Sequence, residues 1–261
     1  MLYFIPTPIG NLEDISIRSL KLLLSTPTLF CEDTRVTKKL IMLISEKFGE
    51  QPTTEQRFIS LHSHNEKDVI KSLNANDFLS SNTAYVSDAG MPCISDPGAL
   101  LVRFAQQNNI PYEVLPGANA LLLSLASSGF EGSKFYFHGF LPHKKEAREK
   151  ELKEILSFPY SVVLYESTHR ILKFARELSL FAPEKEMFFI KEASKRYETH
   201  YFGSAEKIYE ELKSANLNGE WAIVIKGNDN EMNGERLNVD DIFPLEISNK
   251  SKAKLLSKLT G

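Results

Sequence analysis

The feature that most constrains this chain is a pattern repeated through its first half. A short, mostly apolar run is followed by a cluster of turn and charged residues, and then by a stretch with helical spacing. The runs are Leu2–Ile5, Thr28–Cys31, Phe58–Leu61, Thr83–Val86 and Tyr112–Leu115, each too short for a helix and each stopped by polar residues, Gly or Pro. Between them, Ile17, Leu20, Leu23 and Leu24 share one helical face with Arg18 and Lys21 off it, and Leu40, Ile41 and Ile44 mark the next. An apolar helix through Leu125 follows the fifth run. Five such units in succession predict an α/β fold with a largely parallel sheet and right-handed crossovers. Parallel strands all end on one rim, so the clusters that follow them should converge there.

One of these clusters, Ser87 to Gly98, holds Asp88, Asp96, Gly90, Gly98, Pro92 and Pro97 and few bulky side chains. It is longer than the roughly 2–6 residues of an ordinary βα connection. A backbone-rich loop at a strand's carboxyl end is where open α/β sheets bind small ligands. The first cluster, Pro6 to Asn11, also lets backbone approach a ligand, since its prolines cannot continue a ladder. Glu32, Asp33 and Arg35 follow the second run; Asp33 ahead of Thr34 serves equally as a helix N-cap or a catalytic carboxylate.

Around Gly129 to Ser133 the repeat breaks, and the second half reads differently. Phe135–Phe140, Ser161–Tyr165, Met187–Ile190, Thr199–Phe202 and Trp221–Ile225 are its strands. The third and fourth have no helical interval between them, so this sheet should be mixed. We expect an N-terminal unit at 1–117, a C-terminal unit at 118–228, and a polar linker with a short basic tail at 229–261. Lys144 to Leu156 is a charged helix whose Lys144, Lys145, Arg148, Lys150 and Lys153 alternate with Glu146, Glu149 and Glu151; that pattern is a solvated face, or a contact for RNA backbone. Trp221 and Phe140 read as core.

Composition removes several classes. A net charge of −3 advertises no general nucleic-acid binding, so any basic surface must be local. Cys31 and Cys93 have no paired spacing, so neither a disulfide framework nor a zinc site is expected, and a reducing cytoplasm suits them. His62 and His64 lack an evident third ligand, and no metal is expected. No signal peptide and no apolar run of about 18 residues is present, so no membrane association is expected. GxxxxGK[ST] and GxGxxG are both missing, which disfavours P-loop and nicotinamide chemistry.

Eight motifs then occur in order: Pro6-Thr7-Pro8-Ile9-Gly10-Asn11-Leu12, Glu32-Asp33-Thr34-Arg35, His64-Asn65-Glu66, Ser87 to Gly98, Pro116-Gly117-Ala118, Gly139-Phe140-Leu141-Pro142, Tyr165-Glu166-Ser167 and Gly219-Glu220. Over residues 1–227 the chain resembles the small-subunit ribosomal RNA (cytidine 2′-O)-methyltransferases of the tetrapyrrole methylase superfamily. That resemblance implies a two-domain α/β homodimer binding S-adenosylmethionine between domains, with a cytidine ribose in the decoding region of 16S rRNA as methyl acceptor; the net negative charge and patchy basic clusters point to the assembled 30S subunit as the form recognised. It implies a cofactor pocket lined by Pro8, Asp88, Ala89, Gly90, Ile94, Ser95, Asn119 and Ala120, with Tyr165 and Trp221 from the second domain. For catalysis we single out Asp33 and Lys195, with Glu32 and Arg35 holding the geometry and Glu166 orienting cofactor or ribose. The basic tail is shorter than the family's usual extension. Two alternatives stay open: a precorrin-type tetrapyrrole methyltransferase, whose GxGPG loop is missing here, and a non-catalytic cofactor-binding assembly factor.

Overall fold

The computed structural model describes residues 1–228, 242–245 and 247–260. Strands β1 (Leu2–Ile5), β2 (Thr28–Cys31), β3 (Arg57–Ser60), β4 (Thr83–Val86) and β5 (Tyr112–Val114) form a sheet in the order β3-β2-β4-β1-β5. Every pairing in it is parallel. The inner strands are continuously apolar because helices cover both faces. On one face, Leu20, Leu23 and Leu24 of α1 (Ile17–Ser25) and Ile41 and Ile44 of α2 (Thr34–Phe48) pack on Ile5, Leu29, Cys31, Ala84 and Val86. On the other, Phe78 of α4 (Ala75–Ser80) and Leu101 and Ala105 of α5 (Ala99–Gln107) cover Leu2, Phe4, Phe30 and Tyr85. Between β3 and β4 the sequence reads as one helix, but two short ones form, α3 (Glu66–Ser72) and α4. The break is local chemistry, since the Asn74 side chain accepts from the Asn76 amide and caps the second helix.

The second sheet comprises β6 (Phe135–Phe140), β7 (Ser161–Glu166), β8 (Glu186–Lys191), β9 (Thr199–Ser204) and β10 (Trp221–Ile225), ordered β6-β7-β10-β8-β9. Only β6 and β7 pair in parallel; the other pairings are antiparallel, so the sheet is mixed as the sequence indicates. The last strand in sequence lies in the middle. Trp221, Ile223 and Ile225 point to one face, packed beneath α7 (Lys145–Leu156), α8 (Ile171–Phe181) and α9 (Ala205–Leu212); Ala222 and Val224 point to the other.

That other face is covered by α6 (Ala120–Ser128), which packs on β7, β8 and β10. The sequence pattern reads α6 as the fifth crossover helix of the first sheet. It packs on the second sheet, within the unit expected at 118–228, because Leu121 finds its apolar partners in Val163, Phe188 and Ala222.

The charged helix α7 also departs from expectation. Arg148 turns inward, is 2% exposed, and meets Glu177 of α8 at 2.5 Å. Phe140, read as core, is 54% exposed, whereas Trp221 is buried. Among the described residues no helix is long and apolar enough to cross a membrane. Most of the expected linker from residue 229 lies outside the described residues, and the tail forms a helix over Asn249–Thr260.

Candidate functional site

The carboxyl ends of the first sheet are stitched together before any ligand is considered. Thr7 and Gly90 exchange backbone hydrogen bonds, both 3.1 Å, which joins the loop after β1 to the loop after β4. The Thr7 hydroxyl donates to the Ser87 carbonyl at 3.2 Å, and the Ser87 hydroxyl donates to the Gly90 carbonyl at 2.9 Å. Gly90 has φ +85°, and a Cβ there would lie 3.1 Å from Ile9 Cγ2. A left-handed backbone packed this tightly excludes most side chains. At the loop's far end Gly98 begins α5 without a capping side chain. Glu66 of α3 supplies the cap, its Oε1 accepting from the amides of Gly98 at 2.9 Å and Leu100 at 3.3 Å.

Next to this loop, the Asp33 amide donates to Asp88 Oδ1 at 3.0 Å and the Asp88 amide to Glu32 Oε2 at 3.4 Å. Burial raises the pKa of both Glu32 and Asp88. Asp33 is the opposite case. Arg35 donates to both its oxygens, with Nη2 at 2.6 Å from Oδ2, and the Arg35 amide donates to Oδ1 at 2.8 Å. Those hydrogen bonds bring the carboxyl down to about 2. Asp33 is thus a helix N-cap held as a carboxylate, and the Arg35 side chain is 89% exposed.

The second sheet contributes the opposite wall. Glu166, at the end of β7, accepts from the Ser167 amide at 2.6 Å and from Arg170 Nε at 2.7 Å; Arg170 also donates to the Leu141 carbonyl. Tyr165 packs edge-on against Phe137 and Phe140, and burial pushes its phenol up to about 12. Trp221 stands beside Tyr201, and its indole donates to the Leu217 carbonyl at 3.0 Å. Glu192 Oε1 accepts from Lys195 Nζ and from the Glu220 amide, each at 2.9 Å, while Lys195 also donates to Glu220 Oε2 at 3.0 Å. Burial alone would lower the Lys195 ammonium, but the hydrogen bonds and charges of Glu192 and Glu220 together outweigh it and raise its pKa.

Two glycines allow close approach, Gly10 between the halves and Gly117 within the first. A Cβ on Gly10 would lie 2.2 Å from Lys195 Cγ and 3.2 Å from the Ala193 carbonyl, and one on Gly117 would lie 2.3 Å from Pro6 Cβ. The Ser194 hydroxyl hydrogen-bonds Asp14 across the same seam.

Between the two sets of strand ends lies a cavity of about 410 Å³. Of the residues expected at the cofactor, Ala89, Gly90, Ile94, Ser95, Asn119, Ala120, Tyr165 and Trp221 line it, as does Glu166. Asn119 caps α6, its side chain accepting from the Leu122 amide at 3.1 Å. Pro8 and Asp88 stand outside the lining: Pro8 is buried behind it, and Asp88 is turned to the Glu32–Asp33 ends. Glu32, Asp33, Arg35 and Lys195 are also outside the lining, because their partners hold them on the flanks. Sequence reasoning assigned no pocket role to Asp96, Phe140, Ser167, Thr168, Ala193 and Glu220, which line the cavity. Their signal was position: most lie inside motifs already singled out, beside the residues chosen.

Asp96 stands out among them. It is half-buried and, among the described residues, has no hydrogen-bond or ion-pair partner. Burial, and then the charges of Glu32 and Asp88, push its carboxyl up to about 7.

Known proteins bear on this geometry. Residues 1–209 match the family profile described as Tetrapyrrole (Corrin/Porphyrin) Methylases. The chain is 49% identical over 261 residues to a Campylobacter fetus protein named ribosomal RNA small subunit methyltransferase I, covering all of this chain and 96% of that one. A Helicobacter pylori protein of the same name is 39% identical over 273 aligned positions, covering all of this chain and 93% of its own. Among solved structures, a Thermus thermophilus uroporphyrin-III C-methyltransferase complexed with S-adenyl homocysteine superposes with a TM-score of 0.55 at 18% identity, covering 88% of this chain and 99% of that one. A diphthine synthase superposes at 0.61 with 13% identity, covering 86% and 89%. These last two establish the fold alone. With a tetrapyrrole methylase profile matching most of its length and full-length relatives at such identity, the chain belongs to the ribosomal RNA small subunit methyltransferase I family of tetrapyrrole methylases.

Proposed function

We propose that this protein transfers a methyl group from S-adenosylmethionine to the 2′-hydroxyl of a cytidine ribose in the decoding region of 16S rRNA, acting on the assembled 30S subunit in the cytoplasm. The observation that carries the reading is the cavity of about 410 Å³ between the two sheets, in a chain of this family. Its volume falls in the range of roughly 300–1,000 Å³ of pockets that enclose a small-molecule ligand. The walls suit the cofactor. Ile9, Ile94, Ala222 and Trp221 offer apolar surface, while the backbone around Gly90 and the capped start of α6 offer polar atoms. S-adenosylmethionine supplies an electrophilic methyl on a sulfonium.

The chain's own residues do the rest. Ala89, Gly90, Ile94, Ser95, Asn119, Ala120, Tyr165 and Trp221 hold the cofactor, with Pro8 and Asp88 bracing the loops from behind. Glu166, fixed by Arg170, orients cofactor or ribose. Asp33 and Lys195 flank the opening from opposite units, and we assign them to positioning the ribose and stabilising negative charge on it, with Glu32 and Arg35 holding Asp33. A carboxyl held at about 2 is a weak proton acceptor, so orientation suits Asp33 better than general-base work. Closure of the cavity around the reacting atoms excludes water from a step in which charge is neutralised. The protein works as a homodimer, for which Leu122 on the outer side of α6, 54% exposed, and the edge strand side chains Tyr112 and Val114 provide apolar surface.

The test is incorporation of tritium from labelled S-adenosylmethionine into 30S subunits lacking the modification, naked 16S rRNA and a precorrin. Label in the ribose of a single cytidine on 30S subunits is the expected result. Label in the precorrin alone would instead identify a tetrapyrrole enzyme, and binding without transfer a silent assembly factor.

A further inference from the structure

We propose that the Asp96 carboxylate accepts the proton of the substrate hydroxyl during methyl transfer, an inference that rests on the methyltransferase reading above. The cavity is lined by three carboxylates among the described residues: Asp96, Glu166 and Glu220. Glu166 is already committed to the Ser167 amide and to Arg170. Glu220 is tied to Lys195, and its side chain is 76% exposed at the rim. Asp96 alone among them faces the cavity without a cation or an amide to satisfy it, on the loop that also presents Gly90 and Ile94. Its oxygens are therefore available to a hydroxyl.

The surroundings suit a proton acceptor. Glu32 from the end of β2, Asp88 and Cys93 from its own loop, Glu66 from the start of α3, Tyr85 of β4 and Tyr165 of β7 all face this region, and no Lys or Arg is among them. Burial and like charge raise the carboxyl to about 7, so near neutral pH it is substantially ionised and still basic. The Tyr85 hydroxyl, also buried near this loop, has no hydrogen-bond partner either. In the step itself, a lone pair of the acceptor oxygen forms the new O–CH3 bond. The S–CH3 bond breaks with its electron pair passing to sulfur, leaving a neutral thioether. The hydroxyl proton passes to Asp96, which later releases it to solvent.

The experiment measures single-turnover methylation of unmodified 30S subunits at saturating S-adenosylmethionine from pH 6 to 9, for wild type, Asp96→Asn and Asp96→Glu. Cofactor affinity by calorimetry and carboxyl titration by NMR of aspartate-labelled protein accompany it. Asp96→Asn should lose about 100-fold or more in rate, with affinity within about threefold of wild type, while Asp96→Glu recovers part of the rate. The wild-type rate should rise with unit slope to a plateau above about 7, where one aspartate resonance also titrates and is lost in Asp96→Asn. An Asp96→Asn enzyme as fast as wild type, or one whose affinity falls in proportion to its rate, overturns the inference. Should that variant not fold, a flat wild-type rate across this range, or the lack of any aspartate titrating near neutrality, overturns it. A wild type that labels no ribose overturns the ribosomal reading and this inference together; an active wild type with an equally active Asp96→Asn overturns this inference alone.

Discussion

A side chain at position 90 meets two obstacles. The backbone there has φ +85°, a region that costs a β-branched residue on the order of 1–3 kcal/mol. Its Cβ would also press on Ile9 Cγ2 at 3.1 Å and shift the loop pair joined at Thr7. Gly90→Val should therefore bind S-adenosylmethionine at least about tenfold more weakly, roughly 1.4 kcal/mol, as read by calorimetry on protein that still melts cooperatively. Unchanged affinity would remove this loop from the pocket. Asp96 gives a residue-scale expectation about stability. Its folded pKa is raised, so the stability it provides relative to an ordinary carboxyl is complete below the unfolded value of about 4. That stability is lost as pH rises through about 7. Asp96→Asn should raise the melting temperature by a few degrees at pH 8 and by less at pH 5. A lower melting temperature at pH 8 would mean that the carboxylate has a stabilising partner. Gly90 was legible in the sequence because a glycine in a long polar loop has few other uses. Asp96 sat in the same loop unassigned, because its unusual environment comes from Glu32 and Asp88 across the rim, and linear spacing does not report the absence of a cation.

Elements were legible where periodicity decides and misread where tertiary partners decide. Every strand of both sheets falls within a residue or two of its apolar run, because a run that short between turn residues leaves no room for a helix. Helix α6 follows the fifth apolar run of the first sheet yet packs on the second, since an apolar helix records that it is buried and not against what. In α7 alternating charges hid Arg148, whose inward turn depends on Glu177 of α8. That pair makes a definite expectation. Arg148→Ala leaves Glu177 buried without a counter-charge and should cost about 3–5 kcal/mol in urea unfolding. Replacing both partners, Arg148→Met with Glu177→Leu, should return stability to within about 1 kcal/mol of wild type. Arg148 Nε and Glu177 Oε2 lack hydrogen-bond partners, which makes the pair costly to bury and its apolar replacement favourable. A double variant as unstable as the single one would show that the pair contributes net stability.

For the molecule as a whole, the resemblance implied a cofactor between two α/β units, where the cavity lies, while the seam itself was hidden. Gly10 against Lys195 and Asp14 against Ser194 join positions far apart in the chain, and nothing local marks them. The same scale sets the form of the substrate. A chain of net charge −3 cannot gather phosphates over a broad surface. The cations beside the opening are largely answered within the protein: Lys47 by Glu13, Lys195 by Glu192 and Glu220, Arg35 by Asp33. Affinity must then come from a fitted shape, as an assembled particle can offer and a flexible strand cannot. Methylation should be far faster on 30S subunits than on a short cytidine-containing oligonucleotide at matched salt. The plot of log kcat/KM against log salt for 30S should also be shallow, with a slope smaller in magnitude than about 3, corresponding to few released counterions. Equal rates on both substrates, or a steep salt slope, would show instead that backbone charge drives recognition and that unmatched cations act at the opening.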